Sequence, residues 1–253
     1  EEAQLRSEKT GLSPYDALMD LYEPGMRSAE VDRLFGDLRT WLPDLIQNVQ
    51  EQQKSRDLPK LQGPFSIEQQ KQLGKYAMKL LGFDFDAGRL DVSSHPFCGG
   101  VPEDVRLTTR YNTDSFAESM MGVIHETGHA RYEQNLPRNW LGQPVGEARS
   151  MGIHESQSLF FEMQVGRSRS FLKHLSPKIS TTFGTQEAFS PENLYQFYTQ
   201  VEPGFIRVDA DEVTYPAHVM LRYEIERALV EGQIEVDDIP ELWQQKMQTY
   251  LGI

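Results

Sequence analysis

Apolar residues recur at helical spacing along most of the chain, which predicts a mainly helical protein. In one example Val31, Leu34 and Phe35 follow Ser28, which is a suitable N-cap for a helix. The predicted helices run, to within a few residues, from Pro14 to Tyr22, Ser28 to Gln53, Ser66 to Leu81, Asp114 or Ser115 to Gln134, Gly146 to Arg169, Pro191 to Val201, Tyr215 to Glu231 and Pro240 to Tyr250.

Two short stretches, Arg89 to Ser93 and Val105 to Tyr111, alternate between apolar and polar residues as strands do. The segment Ser94 to Gly100 lies between them and is rich in Pro and Gly, so we expect it to be irregular. These patterns predict a small β-ribbon inside a helical protein. The chain has no internal repeat and no clear linker, so we expect residues 1–253 to form a single mainly helical unit.

The composition does not alter the predicted fold, but it excludes several classes of partner and of structural feature. The 253 residues carry a net charge of −13, which argues against the nucleic-acid backbone as a partner. No run of 18 apolar residues occurs, so no membrane-spanning helix is expected. The acidic start at Glu1 does not resemble a signal peptide. Cys98 is the single cysteine, which excludes an internal disulfide and a Cys-rich zinc cluster and fits a cytoplasmic location.

The clearest chemical motif is His-Glu-Thr-Gly-His at residues 125–129. Two histidines four residues apart lie on one face of a helix, so His125 and His129 can bind the same zinc ion. Glu126 can then accept a proton from a metal-bound water molecule. Gly128 is a poor helix former, which indicates that another element packs closely against the helix at this position.

A catalytic zinc ion of this kind needs a third protein ligand. Glu155 follows on the next predicted helix, and spacing alone also permits Glu147, His154 or Glu162. Glu133 is a poor candidate, because it lies eight residues from the first histidine of the motif and therefore about 12 Å along the helix axis.

Five motifs in order show a more specific resemblance. They are His-Pro-Phe at 95–97, Asp-x-Arg-x-Thr at 104–108, the His-Glu-x-x-His motif at 125–129, His-Glu-Ser at 154–156, and Ile-Arg-Val-Asp-Ala-Asp-Glu-Val-Thr-Tyr at 206–215. The sequence resembles the carboxypeptidase Taq family of zinc metallocarboxypeptidases. Members of that family are long, mainly helical proteins with a deep groove, so the predicted ribbon is expected beside the active-site groove of a helical, gluzincin-like zinc peptidase.

The resemblance implies that His125, His129 and Glu155 bind the metal and that Glu126 is the general base. It also implies a homodimer and zinc as cofactor, although Co²⁺ or Mn²⁺ could occupy the same ligands. Family members are about twice as long, and a later Gly-x-x-Gln-Asp-x-His-Trp motif is absent from this chain. We therefore expect residues 1–253 to be a fragment that lacks N- and C-terminal parts of a longer catalytic protein.

Three residues of the last motif region are candidates for substrate contact. Tyr215 could donate a hydrogen bond to the oxyanion that forms on the scissile carbonyl, or it could be a buried aromatic residue. Arg207 could bind the C-terminal carboxylate of a peptide, or it could pair with Asp209 or Asp211. His218 could lie beside the tyrosine, but a histidine packed in the core fits the pattern equally well.

Two candidates lie on or beside the predicted ribbon, where an extended peptide could pair with a strand edge. They are His95 and Arg106. For the arginine, a structural salt bridge with Asp104 is the favoured interpretation. Cys98 lacks a histidine pattern around it and is expected to be structural.

The leading hypothesis is therefore a metal-dependent carboxypeptidase acting on peptides with a free C-terminus. A zinc endopeptidase or oligopeptidase would share the metal chemistry and differ only in recognition of the peptide end. A non-catalytic helical interaction module is the third hypothesis. A Glu126→Gln substitution would abolish turnover under the first two hypotheses and change nothing measurable under the third.

Overall fold

The computed structural model describes residues 1–253 and confirms a mainly helical fold with a small sheet. The helices are α1 (Glu2–Thr10), α2 (Pro14–Met19), α3 (Ser28–Arg39), α4 (Leu42–Gln53), α5 (Ile67–Leu80), α6 (Ala117–Gln134), α7 (Met151–Leu159), α8 (Arg169–Phe183), α9 (Pro191–Tyr198), α10 (Tyr215–Val230) and α11 (Ile239–Leu251). The strands are β1 (Gly88–Val92), β2 (Phe97–Val101) and β3 (Asp104–Thr109). None of these helices is both long enough and apolar enough to cross a membrane.

The chain divides into two compact units, each with its own hydrophobic core. Unit 1 consists of residues 1–56 and 199–253, and unit 2 consists of residues 57–198. The core of unit 1 is formed by α4, α10 and α11, around Met220, Leu221 and Met247. The larger core of unit 2 surrounds α6. The expectation of a single catalytic unit stays a prediction.

In unit 1, the helix predicted from Ser28 to Gln53 is two helices, and the single-helix prediction is wrong. The first helix ends before Thr40, whose hydroxyl donates to the carbonyl of Asp37 at 2.7 Å. Pro43 follows in the first turn of α4. A proline is tolerated there but not in a helix interior, because it has no N–H to donate and its ring clashes with the carbonyl four residues earlier.

In unit 2, the predicted strands are present as β1 and β3, but the segment between them is irregular only as far as Pro96. Phe97–Val101 forms β2, which pairs antiparallel with β3, while β1 pairs parallel with β3. Gly100 has a φ of 123°, and a Cβ atom there would lie 2.2 Å from the carbonyl oxygen of Asp104. The glycines thus allow β2 to approach β3, where the sequence analysis interpreted them as breaking the strand.

The sheet packs against α6 and supports it. Val105 and Leu107 of β3 are fully buried and share a cluster with Val123 and Ala130 of the helix. On another side, Leu73 of α5 belongs to the large core that also contains residues of α6. Helix α6 is therefore surrounded by packing on several sides, which fixes the orientation of its polar residues.

The helix predicted from Gly146 to Arg169 differs most from the structure. Helix α7 begins only after Ser150, whose hydroxyl accepts from the N–H of Ile153 at 2.9 Å. It continues into a π-helical segment, Phe160–Gly166, and α8 starts after Ser168, which caps it in the same way. Neither serine cap was predicted from the sequence, and neither α1 nor α8 was predicted. The remaining predicted helices are confirmed within a few residues.

Candidate metal centre

Helix α6 carries both histidines of the His-Glu-x-x-His motif. Their rings are one turn apart, with 5.1 Å between the centroids of His125 and His129. Helix α7 lies directly against this turn, because a Cβ atom on Gly128 would be 2.6 Å from the Cα of Ser158. The side chain of Gln157 also donates to the carbonyl of the glycine at 2.8 Å. The close packing expected from the glycine is therefore present.

The close approach of α7 brings a carboxylate to both histidines. Oε2 of Glu155 lies 3.1 Å from Nε2 of His129 and 3.7 Å from Nε2 of His125. The ligand atoms of these three residues all lie within 4.8 Å of one another. Two imidazole nitrogens and one carboxylate oxygen, half-buried together, are a donor set that suits a catalytic zinc ion. The structure thus brings together the three residues that the sequence analysis names as ligands.

Glu155 is held as an anion with a fixed carboxylate. The buried hydroxyl of Ser158 donates to its Oε2 at 3.1 Å. Burial alone would raise the pKa of Glu155, but the hydrogen bond from His129 and the charges of both motif histidines lower this pKa to about 2. An ionised carboxylate is the form that a metal ion binds.

The pKa of Glu126 is shifted in the opposite direction to that of Glu155. Glu126 is only 6% exposed, and burial raises the pKa of its carboxyl group to about 7. The charge of His125 lowers this pKa, whereas the charges of Glu155 and Glu162 raise it further. A carboxyl group with such a pKa can both accept and donate a proton near neutral pH. The position beside a ligand histidine and this pKa are compatible with the general base that the sequence analysis predicts.

The other ring nitrogen of His125 faces a charged pair. Its Nδ1 lies 3.0 Å from Oε2 of Glu162, in the π-helical segment, and Oε1 of the same carboxylate accepts from Arg167 at 2.5 Å. Arg167 also donates to the carbonyl of Tyr198 at 3.3 Å. Glu162, one of the alternatives for the third ligand, lies behind His125 and outside the cluster of ligand atoms. Arg167 was not predicted as part of the site, because no local sequence pattern marks it.

The other ring nitrogen of His129 faces a second histidine. Its Nδ1 lies 2.7 Å from Nδ1 of His154, whose Nε2 lies 2.7 Å from Oε1 of Glu133. The ring of Tyr132 stacks on that of His154, with 4.4 Å between centroids and 27° between planes. His154, another alternative for the third ligand, lies behind His129 and outside the cluster of ligand atoms. Glu147, the last alternative, is exposed and lies outside the cluster.

The candidates on the sheet are exposed. His95 precedes β2, and its carbonyl accepts from the hydroxyl of Thr108 at 3.0 Å. Arg106 forms the expected salt bridge with Asp104, with a shortest distance of 2.6 Å. Neither residue belongs to the cluster of three ligand atoms.

Three candidates belong to unit 1. Arg207 donates to the hydroxyl of Tyr215 at 3.2 Å, so these two residues form a pair. Asp211 accepts from the backbone N–H of Val213 and from the hydroxyl of Thr214, in the turn that precedes α10. His218 has no exposed surface, and burial lowers the pKa of its imidazole. This burial fits the core position that the sequence also allows, and contact between His218 and a substrate stays a prediction.

Comparison with known proteins gives consistent matches. A family model described as carboxypeptidase Taq (M32) metallopeptidase matches residues 1–253. The chain is 43% identical over 242 residues to carboxypeptidase 1 of Bacillus subtilis, covering 95% of this chain and 48% of that protein. It is 42% identical over 240 residues to thermostable carboxypeptidase 1 of Thermus thermophilus, covering 94% of this chain and 47% of that protein.

One solved structure is similar to this chain over its whole length. The structure of metallocarboxypeptidase 1 of Trypanosoma cruzi matches with a TM-score of 0.94 and 51% sequence identity, covering 100% of this chain and 53% of that one. The chain therefore spans about half the length of the proteins that it matches.

Proposed function

Since the chain belongs to the carboxypeptidase Taq (M32) metallopeptidase family, we propose that it is a metal-dependent carboxypeptidase that removes amino acids from the C-terminus of peptides. The observation that carries the proposal is the cluster of His125, His129 and Glu155, whose ligand atoms lie within 4.8 Å of one another. Because the chain spans about half the length of its relatives, the activity of those whole proteins comes to it only as part of this proposal.

The ion that we propose is Zn²⁺, because two histidines and one glutamate form a common catalytic zinc site; Co²⁺ and Mn²⁺ suit the same donors. A bound ion of this kind polarises a carbonyl group and lowers the pKa of a water molecule. Glu126 would accept the proton that the water loses and transfer it to the leaving amine. Its burial beside His125 supports this role.

A carboxypeptidase must also recognise the free end of its substrate. We assign this role to Arg207, because a guanidinium group matches a carboxylate with two parallel hydrogen bonds. We assign stabilisation of the developing oxyanion to Tyr215, whose hydroxyl is paired with the arginine. His95 and Arg106 remain candidates for contact with the peptide from the sheet. The support for all four roles is the resemblance of the motifs that contain them.

The decisive experiment uses one peptide in two forms, with a free and with an amidated C-terminus. The zinc-loaded chain is incubated with each, and the products are identified by mass spectrometry. Stepwise loss of C-terminal residues from the free form alone is the expected result. Equal cleavage of both forms at internal bonds would establish an endopeptidase or oligopeptidase, and the role of Arg207 in end recognition would be wrong.

A Glu126→Gln variant separates catalysis from metal binding. Removal of a general base lowers turnover by about 10²- to 10⁴-fold, while zinc affinity should stay unchanged because the three ligands are intact. Equal activity in the variant and the original chain would contradict the proposed role of this residue. A zinc-loaded chain that cleaves neither peptide would favour the non-catalytic interaction module.

Assembly and location also belong to the proposal. The homodimer rests on the family resemblance, and light scattering on the purified chain tests it directly. A cytoplasmic location rests on the single cysteine and stays a prediction. The net charge of −13 supports peptides over nucleic acids as partners.

A further inference from the structure

A chain of hydrogen bonds that the proposed reaction does not use begins at the ring nitrogen of His129 that faces away from Glu155. It runs from Nδ1 of His129 to Nδ1 of His154 at 2.7 Å, and from Nε2 of His154 to Oε1 of Glu133 at 2.7 Å. The second histidine and the glutamate are 18% and 19% exposed, so water competes little for these contacts. Tyr132 stacks on the imidazole of His154 and fixes its plane.

We propose that His154 and Glu133 are positioning residues that hold His129 in the tautomer and ring orientation needed for metal binding. The inference rests on the metal site of the proposed function. The number of protons that each ring nitrogen can carry, together with the observed distances, determines the direction of each hydrogen bond.

A nitrogen that ligates a metal ion carries no hydrogen, so a neutral imidazole bound through Nε2 has its hydrogen on Nδ1. In His129 it is Nε2 that faces Glu155, at 3.1 Å. Its Nδ1–H therefore donates to Nδ1 of His154, which must be unprotonated. The remaining hydrogen of His154 is then on Nε2 and is donated to the carboxylate of Glu133. Each contact in the chain has one donor and one acceptor in this arrangement.

The reverse direction is incompatible with metal binding. If His154 carried a hydrogen on Nδ1, Nδ1 of His129 would have to accept it. The hydrogen of His129 would then be on Nε2, and the nitrogen beside Glu155 would be unable to bind an ion. Glu133 favours the productive direction, because an ionised carboxylate accepts a hydrogen bond and cannot donate one.

Two consecutive residues of α7 thus contact opposite sides of one imidazole ring. Glu155 contacts Nε2 of His129, and its neighbour His154 contacts Nδ1. Both nitrogens of His154 are engaged, so it acts behind the ligand and not as a ligand itself. The same short turn that supplies the third ligand therefore also orients the second one. Partners of this kind behind metal ligands fix ring orientation and tautomer.

Zinc affinity measures this role without reference to catalysis. The metal-free chain competes with a chromophoric chelator for Zn²⁺, and the dissociation constant is compared among three variants. His154→Leu should weaken binding by about 10- to 100-fold, because it removes the acceptor. His154→Asn should bind more tightly than the leucine variant, since the amide oxygen occupies a position close to that of Nδ1. His174→Leu, at an exposed position of α8, should bind like the original chain.

The order of the two substitutions at His154 excludes a merely structural effect. Leucine has the better helix propensity, so a loss of α7 stability would make the asparagine variant the weaker binder. The proposal is overturned if the leucine variant binds zinc as tightly as the original chain, or if the asparagine variant is no better than the leucine variant. An original chain that binds no zinc would overturn the metal site of the proposed function as well, so the two failures are distinguishable.

Nitrogen-15 NMR of the histidine side chains provides a test that needs no substitution. In the zinc-loaded chain His129 should be protonated on Nδ1 alone and His154 on Nε2 alone. A hydrogen on Nδ1 of His154 would overturn the proposal, whatever the peptidase activity of the chain.

Discussion

The two ligand histidines of α6 have the same role but different supports. Behind His125 is a charged pair, in which Glu162 contacts the ring at 3.0 Å and Arg167 at 2.5 Å. Behind His129 is a second imidazole, His154. One support is an ion pair that includes Glu162 of the π-helical segment after α7. The other places a second imidazole ring between the ligand His129 and the carboxylate of Glu133.

The difference separates metal binding from fold stability. Glu162 and Arg167 are 13% and 11% exposed, so each needs the other as a counter-charge in a poorly hydrated place. His154 in its neutral form needs only a donor and an acceptor. We therefore expect damage on the His125 side to cost stability and metal affinity together, and damage on the His129 side to cost mainly metal affinity.

The largest effect is expected from Glu162→Leu. This substitution removes the partner of His125 and leaves the charge of Arg167 buried without compensation. The free energy of unfolding of the metal-free chain should fall by about 3–5 kcal/mol, as for other broken buried ion pairs. Urea unfolding followed by circular dichroism measures it. If the free energy of unfolding falls by less than about 1 kcal/mol, the ion pair of Glu162 and Arg167 contributes no more to stability than a solvent-exposed pair.

The double variant Glu162→Leu/Arg167→Leu is the matched control. Replacing both charges by apolar groups is often neutral for stability, so most of the lost unfolding free energy should return. Zinc affinity should stay about 10- to 100-fold below that of the original chain, since His125 still lacks its partner. Full recovery of zinc affinity would mean that the carboxylate does not support the ligand.

A smaller effect is expected where α6 and α7 touch, because both supports depend on that contact. In Gly128→Ala the new Cβ atom meets backbone atoms of Ser158 and Gln157, at 2.6 and 2.9 Å. The helices must move apart, which should cost about 1–3 kcal/mol of unfolding free energy and weaken zinc binding. Gly36→Ala in α3 is the control. Its Cβ atom meets nothing within 4 Å, so this change should stabilise the chain by roughly 0.5–1 kcal/mol.

Amide substitutions compare the two carboxylates directly. Glu133→Gln and Glu162→Gln each remove one charge and keep an acceptor oxygen. The second should lower the urea midpoint more, because Glu162 also balances Arg167 at 2.5 Å. Both should reduce zinc affinity, by up to about tenfold for Glu133→Gln, which acts through an intervening ring. Equal midpoints for the two variants would remove the distinction between an ionic and a neutral support.

The smallest effect is expected at the surface of the sheet. Arg106→Ala breaks an exposed salt bridge with Asp104, and such pairs contribute little to stability. The urea midpoint and the zinc affinity should not change. The Michaelis constant for a peptide substrate is the informative measurement, because a rise in it alone would indicate that β3 contacts the substrate.

Sequence patterns predicted local features better than boundaries. The helical spacing of apolar residues located α5, α6 and α10, since a 3.6-residue period needs no tertiary contact to be recognised. The break between α3 and α4 was missed although Pro43 marked it. Strand β2 was missed because its glycines look unfavourable until the carbonyl of Asp104 is placed 2.2 Å from the Cβ position of Gly100.

The sequence by itself identified the three residues that are proposed to bind the metal. His125 and His129 share a helix face because four residues make about one turn. Glu155 was one of four residues that spacing allowed as the third ligand, and the motif resemblance selected it. These conclusions need only local periodicity and the order of motifs along the chain.

Only the tertiary structure decided what lies behind each ligand. His154, Glu155 and Glu162 all belong to the segment after Ser150, and their separation in sequence does not say which ring nitrogen each one faces. That depends on how closely α7 packs at Gly128 and on the wider turns of the π-helical segment, which change the direction of every following side chain. Spacing along a chain fixes neighbours within one helix, whereas contacts between helices are fixed by packing.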